Sequence, residues 1–250
     1  MLNIHQFTYG SDNYGVLLQE PASGATALVD AGDAAAALAA LAETGWSLSQ
    51  IWLTHHHGDH TAGTAEIVAA TGARIHGRGS IPSVTNPVAD GGEIDFAGIK
   101  VATIATPGHT MDMLNFHIPS EKLLFTGDTL FAMGCGRLFE GDAATMWASL
   151  CKLMALDDET VIYCGHEYTA ANADFALSVD PDNEALMRRV MAVRDLRAAG
   201  QPTIPTMLAL EKITNPFLRA GDPAIRAHLG MSDADDVDVF AEIRRRKDNF

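Results

Sequence analysis

Four of the ten histidines fall within the six residues from His55 to His60, in the run Thr-His-His-His-Gly-Asp-His that also carries Asp59. Imidazoles and a carboxylate crowded together in a folded chain are costly unless something satisfies them. A metal ion does so directly. Neutral imidazole suits zinc, iron and copper, and a carboxylate shifts the preference towards zinc, iron or manganese. His55 and His57 stand two apart, so on an extended backbone they point the same way. Asp59 and His60 follow at the start of a helical stretch. The two pairs can face two adjacent ions.

Two ions need more than four ligands, and three residues elsewhere fit the need. His109 lies in Thr-Pro-Gly-His-Thr, Asp128 in Phe-Thr-Gly-Asp-Thr and His166 in Tyr-Cys-Gly-His-Glu. Each follows a glycine at the end of an apolar run, where a tight turn presents a side chain at a rim. With those two pairs they make five histidines and two aspartates.

The elements that must position these residues read as a layered mix of α and β. Strands are expected at 16–18, 26–29, 51–54, 99–105, 113–118, 123–126 and 161–164, the fifth and sixth forming a hairpin around Pro119 and Ser120. Helices are expected at 34–43, ended by Gly45, and at 64–71, ended by Gly72. After His166 the pattern turns helical, over 168–179, 183–199 and most of 222–250, with Pro202 and Pro205 marking a turn. The reading gives two regions, 1–165 and 166–250.

Charge is unevenly spread as well. The chain of 250 residues carries a net −15. Residues 1–180 hold 6 basic and 21 acidic side chains, and residues 181–250 hold 11 of each. This argues against a nucleic-acid partner, which needs a basic footprint, and more weakly against an anionic membrane. No apolar run reaches the ~18 residues that span a bilayer, and the N-terminus lacks the basic start and apolar core of a signal peptide. Cys135, Cys151 and Cys164 are too few for a disulfide framework. They are expected as small buried residues in a reducing cytoplasm.

The residues His55, His57, Asp59 and His60 stand as the His-x-His-x-Asp-His motif of the metallo-β-lactamase superfamily, and His109, Asp128 and His166 match its later ligands in order and setting. Within that superfamily the chain resembles the glyoxalase II family. The likeness runs through Asp12-Asn13-Tyr14, Gly134-Cys135-Gly136-Arg137, Gly165-His166-Glu167-Tyr168-Thr169, Thr214 to Arg219 and Arg245-Arg246-Lys247-Asp248.

The resemblance implies an αββα sandwich over 1–165 that binds metal, followed by a helical, glutathione-binding domain over 166–250. It implies two divalent ions, zinc first, with iron or manganese as alternatives. His55, His57 and His109 would hold one, and Asp59, His60 and His166 the other, with Asp128 bridging; His56 falls at the motif's variable position. Arg137, Tyr168, Arg244 and Lys247 match substrate contacts, and Phe139 stands where many members carry Tyr. The implied reaction is hydrolysis of S-D-lactoylglutathione to D-lactate and glutathione by a monomeric cytoplasmic enzyme. Two ions about 3.5–4 Å apart can share one water and bring its pKa near neutrality, so that Asp59 and Asp128 serve catalysis through that nucleophile. A thiolate leaves readily, because its parent thiol has a pKa of ~8.5.

Other readings remain at this stage. Persulfide dioxygenases share the motif but use one iron and lack the long helical C-terminal region. Lactonases and β-lactamases leave the glutathione-side pattern unexplained. A metal-binding protein without catalysis leaves the substrate-side residues without a task.

Overall fold

The computed structural model describes residues 1–250. The chain forms two compact units, residues 1–105 with 112–127 and residues 106–111 with 128–250. No helix is long and apolar enough to cross a membrane.

In the first unit, β1 (Asn3–Tyr9) and β2 (Asn13–Gln19) form an antiparallel hairpin in which Tyr9 lies opposite Asn13. Next to β2 runs β3 (Ala25–Val29), also antiparallel. From β3 the sheet continues in parallel through β4 (Ser47–Trp52), β5 (Arg74–Gly77) and the short β6 (Asn86–Pro87). Parallel neighbours need crossovers. Helix α1 (Ala34–Thr44) links β3 to β4, and α2 (Gly58–Thr61) with α3 (Thr64–Thr71) links β4 to β5. Asp33 caps α1 by accepting the Ala36 N–H at 2.9 Å.

Strand β4 is buried on both faces, as expected of a parallel strand between covered layers. Ile51 and the following Leu53 pack with Ala37, Leu41 and Ile67 under the helices. Trp52 faces the other way, towards a second, antiparallel set of strands. That set runs in the order β7 (Glu93–Phe96), β8 (Ile99–Ala105), β9 (Leu114–Ile118) and β10 (Leu123–Gly127). The Trp52 ring meets Phe96, Phe116 and Phe125 with centroids 5.3, 5.6 and 6.3 Å away. Sheet therefore packs on sheet through one large aromatic side chain, and β4 delivers its C-terminal end, His55 onwards, to the rim.

The second unit holds the small hairpin of β11 (Leu130–Phe131) and β12 (Gly134–Cys135), then α4 (Ala143–Met154). Strand β13 (Val161–Cys164) pairs antiparallel with β14 (Thr206–Met207). Between them lie α5 (Thr169–Val179) and α6 (Glu184–Ala198), whose Ala173, Ala176, Leu186 and Val190 close on Met133. Helices α7 (Leu208–Thr214), α8 (Pro223–Leu229) and α9 (Asp236–Asp248) complete it. Phe217 is buried between Phe175 and Phe240, at 5.8 and 6.0 Å. Asn215 donates to the Phe131 and Gly134 carbonyls at 3.1 and 3.0 Å, so the Asn215-Pro216-Phe217 turn anchors the β11–β12 hairpin.

The expected helix at 64–71 and the strands at 99–105 and 161–164 are found with the same bounds. The strand expected at 51–54 begins earlier, at Ser47, and ends at Trp52. Helix α4 has no counterpart among the elements read from sequence, although Asp142 accepts the Thr145 N–H as an N-cap.

Candidate metal centre and its flanks

In the first unit the metal-ligand candidates follow β4 directly. Asp30 organises them. Its carboxylate accepts the Thr54 N–H at 2.8 Å, the Thr54 hydroxyl at 2.9 Å and Nδ1–H of His60 at 2.8 Å. A carboxylate can only accept, which fixes the protons. His60 carries its proton on Nδ1. The Thr54 hydroxyl spends its proton on Asp30, so its oxygen accepts from Nδ1 of His55, 3.0 Å away. Both neutral imidazoles therefore present a lone pair at Nε2.

Those lone pairs face other potential ligand atoms. Nε2 of His55 faces Nδ1 of His57 at 3.1 Å. Nε2 of His60 faces Oδ2 of Asp59 at 3.4 Å. A neutral imidazole lone pair against a carboxylate oxygen repels, and a cation held by both reverses the sign. His56 points elsewhere and pairs with Asp112 at 3.0 Å.

The second unit repeats the arrangement. Nδ1–H of His109 donates to the Arg137 carbonyl at 2.8 Å, which leaves Nε2 as the lone pair. That Nε2 faces Oδ2 of Asp128 at 3.4 Å, and Nε2 of His166 faces the same oxygen at 3.3 Å. All three residues are buried. An oxygen or hydroxyl thus holds the outer nitrogen of His55, His60 and His109, the usual support for a metal-ligating imidazole. The donor sets of both units fit a borderline divalent ion.

Aromatic rings flank the ligands of the second unit. Tyr168 stacks on His166 with centroids 4.7 Å apart and planes 1° apart, and it meets the edge of Phe131 at 5.4 Å. Phe139 stands edge-on to His109 at 5.2 Å and is 62% exposed. The basic candidates gather around Asp248. Arg244 is buried, donates to Asp248 at 2.7 Å and to the Cys135 carbonyl at 3.0 Å, and lies 5.0 Å from the Phe217 ring centroid. Arg137 reaches the same Asp248 oxygen at 3.5 Å. Lys247 donates to the Ala171 carbonyl at 2.9 Å beside Phe175. Burial, with Arg244 nearby, lowers its pKa.

Comparison with known proteins decides the family. Residues 13–166 match the metallo-beta-lactamase superfamily, and residues 167–250 match the hydroxyacylglutathione hydrolase C-terminus. Hydroxyacylglutathione hydrolases of Maricaulis maris and Rhizobium meliloti are each 54% identical to the chain, across all of it and 99% of their own length. The chain belongs to the hydroxyacylglutathione hydrolase family. The fold of this family member is accordingly the metallo-beta-lactamase fold with a helical C-terminal domain. Among solved structures, ETHE1 from Myxococcus xanthus superposes with a TM-score of 0.71 at 25% identity, over 97% of this chain and 90% of that one.

A hydroxyacylglutathione hydrolase needs no cysteine nucleophile, and the thiols here agree. Burial pushes Cys135 up to about 11 and Cys164 up to about 12. Cys151, expected to be buried, is exposed on α4, because its position faces away from the side that packs Met146, Leu150 and Leu153. Two supporting residues of the site escaped the sequence reading of this family member. Asp30 ends a strand as Asp128 does, but it follows Val29 and lacks the preceding glycine that marked Asp128. Asn13 stands in a segment that carried the family likeness but no assigned role.

Proposed function

We propose that the chain hydrolyses the thioester of S-D-lactoylglutathione to D-lactate and reduced glutathione, with two divalent ions bound. The observation that carries this reading is the pairing of Tyr168 with His166. It puts a side chain of the hydroxyacylglutathione hydrolase C-terminal segment, 167–250, in face-to-face contact with a metal-ligand candidate. Metal chemistry and glutathione recognition then share one site.

His55, His57 and His109 would hold one ion and Asp59, His60 and His166 the other, with Asp128 available to both. Zinc suits the mixed nitrogen and oxygen set first, with iron or manganese as alternatives. When bound, two such ions activate water at neutral pH and polarise the thioester carbonyl.

The chain's own residues do the rest. Asp30 and the Arg137 carbonyl keep the imidazole protons on the outer nitrogens, so the inner ones stay ligands. Asp59 and Asp128 keep negative charge where the ions sit. Tyr168 and Phe139 line the approach with ring faces and edges. Arg137, Arg244 and Lys247 supply positive charge for the carboxylates of glutathione, which a chain of net −15 would otherwise repel. No general acid is required, since a thiolate whose parent thiol has a pKa of ~8.5 leaves readily without first being protonated.

We assign residues 1–165 to the metal-binding catalytic domain and 166–250 to the glutathione-binding domain. A monomer in a reducing cytoplasm suits three unlinked cysteines. Strong negative charge suits neither a nucleic-acid nor an anionic-membrane partner. The test is a paired assay on purified protein, following thioester loss from S-D-lactoylglutathione and oxygen uptake with glutathione persulfide. Hydrolysis without oxygen uptake is expected. Oxygen uptake without hydrolysis would move the chain to persulfide oxidation.

A further inference from the structure

Tyr9 and Asn13 face each other across the β1–β2 hairpin, the last pair before its turn. Both reach the same residue 46 or more positions later. The Tyr9 hydroxyl donates to the backbone carbonyl of Asp59 at 2.8 Å. The Asn13 side-chain amide donates to Oδ2 of Asp59 at 3.0 Å. Asn13 is only 6% exposed, whereas the Asp59 side chain is 48% exposed.

Such an exposed carboxylate normally samples several rotamers. Here its main chain and its side chain are each tied to the hairpin. Close packing adds a third constraint. A Cβ on Gly32 would fall 1.8 Å from the Asp59 carbonyl oxygen and 2.7 Å from the Tyr9 ring, so only glycine lets the segment sit there. The four-residue α2 that carries Asp59 and His60 has no side-chain cap of its own. Its order comes from these outside contacts.

We propose that the β1–β2 hairpin is a clamp for the second ion, with Asn13 as the positioning residue that orients the Asp59 carboxylate and Tyr9 as its backbone anchor. The inference rests on the two-ion reading of the site. The clamp acts on the Asp59–His60 side and leaves His55 and His57 alone. Its loss should therefore weaken one of the two binding steps and spare the other. An amide donor on Oδ2 also turns the carboxylate so that one oxygen lies fixed towards His60, which a freely rotating side chain would not maintain. Hydrogen-bonded partners of metal ligands typically contribute ~10–100-fold to affinity.

The experiment is zinc titration of the metal-free full chain against a chromogenic chelator, for the native protein and for Asn13→Leu, Asn13→Asp and Tyr9→Phe. Cobalt is then used in place of zinc to follow the visible spectrum of each site. Two tight steps in the native protein confirm the reading on which the clamp depends; a single step there would end that reading before any variant is considered. With two native steps, both Asn13 variants are expected to keep one tight step, weaken the other about 10–100-fold and alter the cobalt spectrum of that step alone. Tyr9→Phe should weaken the same step by less. Unchanged steps and spectra in Asn13→Leu and Asn13→Asp would overturn the clamp, even if both variants melt earlier than the native chain. Equal weakening of both steps would overturn it as well.

Discussion

The Asp30 carboxylate lies 2.8 Å from Nδ1 of His60 and, through the Thr54 hydroxyl, also governs Nδ1 of His55. One buried acid thus sets the tautomer of two ligand candidates. Its backbone is unusual too, with a φ of 59° that few residues other than Gly, Asn and Asp accept.

That geometry makes Asp30→Asn an informative change. Asparagine tolerates the backbone, but its amide would confront the His60 and Thr54 donors. Zinc affinity should fall by ~10–100-fold while the metal-free chain stays folded. Chelator competition with circular dichroism checks this. Native affinity in the variant would show that the tautomers are set elsewhere. Asp30→Ala should in addition lose about 1 kcal/mol or more of stability, because alanine is strained in the left-handed region.

Phe139→Tyr tests the substrate side. The ring is largely exposed beside His109, so a hydroxyl fits without repacking. Restoring one hydrogen bond to the glutathione peptide is worth about 1 kcal/mol, or roughly a five-fold lower KM, with kcat unchanged. Steady-state kinetics on S-D-lactoylglutathione decide it. A fall in kcat would mean that Phe139 supports His109 rather than the substrate.

Acid stability should depend on His76. Its imidazole is buried on β5, neither ring nitrogen has a hydrogen-bond partner, and burial followed by the nearby Arg74 lowers its pKa below the ordinary 6.5. The unfolded chain then binds the proton more readily than the folded one. Stability from keeping His76 neutral is full above pH 6.5 and declines as pH drops below it. His117, half-buried, acts in the same direction. Urea titrations between pH 5 and 8 should show a shallower acid decline for His76→Leu than for the native chain; parallel curves would contradict the assignment.

Gly136 is a packing requirement of the second unit's ligand candidates. A Cβ there would lie 2.0 Å from the Asp128 carbonyl oxygen and 3.1 Å from His109. Gly136→Ala should cost about 1–3 kcal/mol of stability through that overlap and displace both ligands. Thermal unfolding and metal counting of the variant measure the two effects. A native melting temperature would mean that the β12 turn has slack.

The ligand candidates were legible because their chemistry is local. His55, His57, Asp59 and His60 share six positions, and His109, Asp128 and His166 each follow a glycine at a strand end. Their supports were not, because support is a long-range relation. Asp30 is 24 positions from Thr54, and Asn13 is 46 from Asp59. Nothing in the spacing of Tyr9 and Asn13 announces a shared target; only the register of the β1–β2 hairpin does. The same holds for helix α4, whose apolar positions Met146, Leu150 and Leu153 take their meaning from the partners they pack against. Arg244 was marked as a substrate contact by the resemblance alone; that it is buried against Asp248, Cys135 and Phe217 is again a long-range relation.

Thioester hydrolysis by this chain should depend on two bound ions. Its most direct test is the loss of thioester absorbance from S-D-lactoylglutathione, with protein whose metal has been counted before chelation, after it and after zinc is returned. The account predicts turnover with about two ions per chain, none once they are removed, and recovery on reloading. A protein that holds two ions per chain and leaves the thioester intact would contradict it.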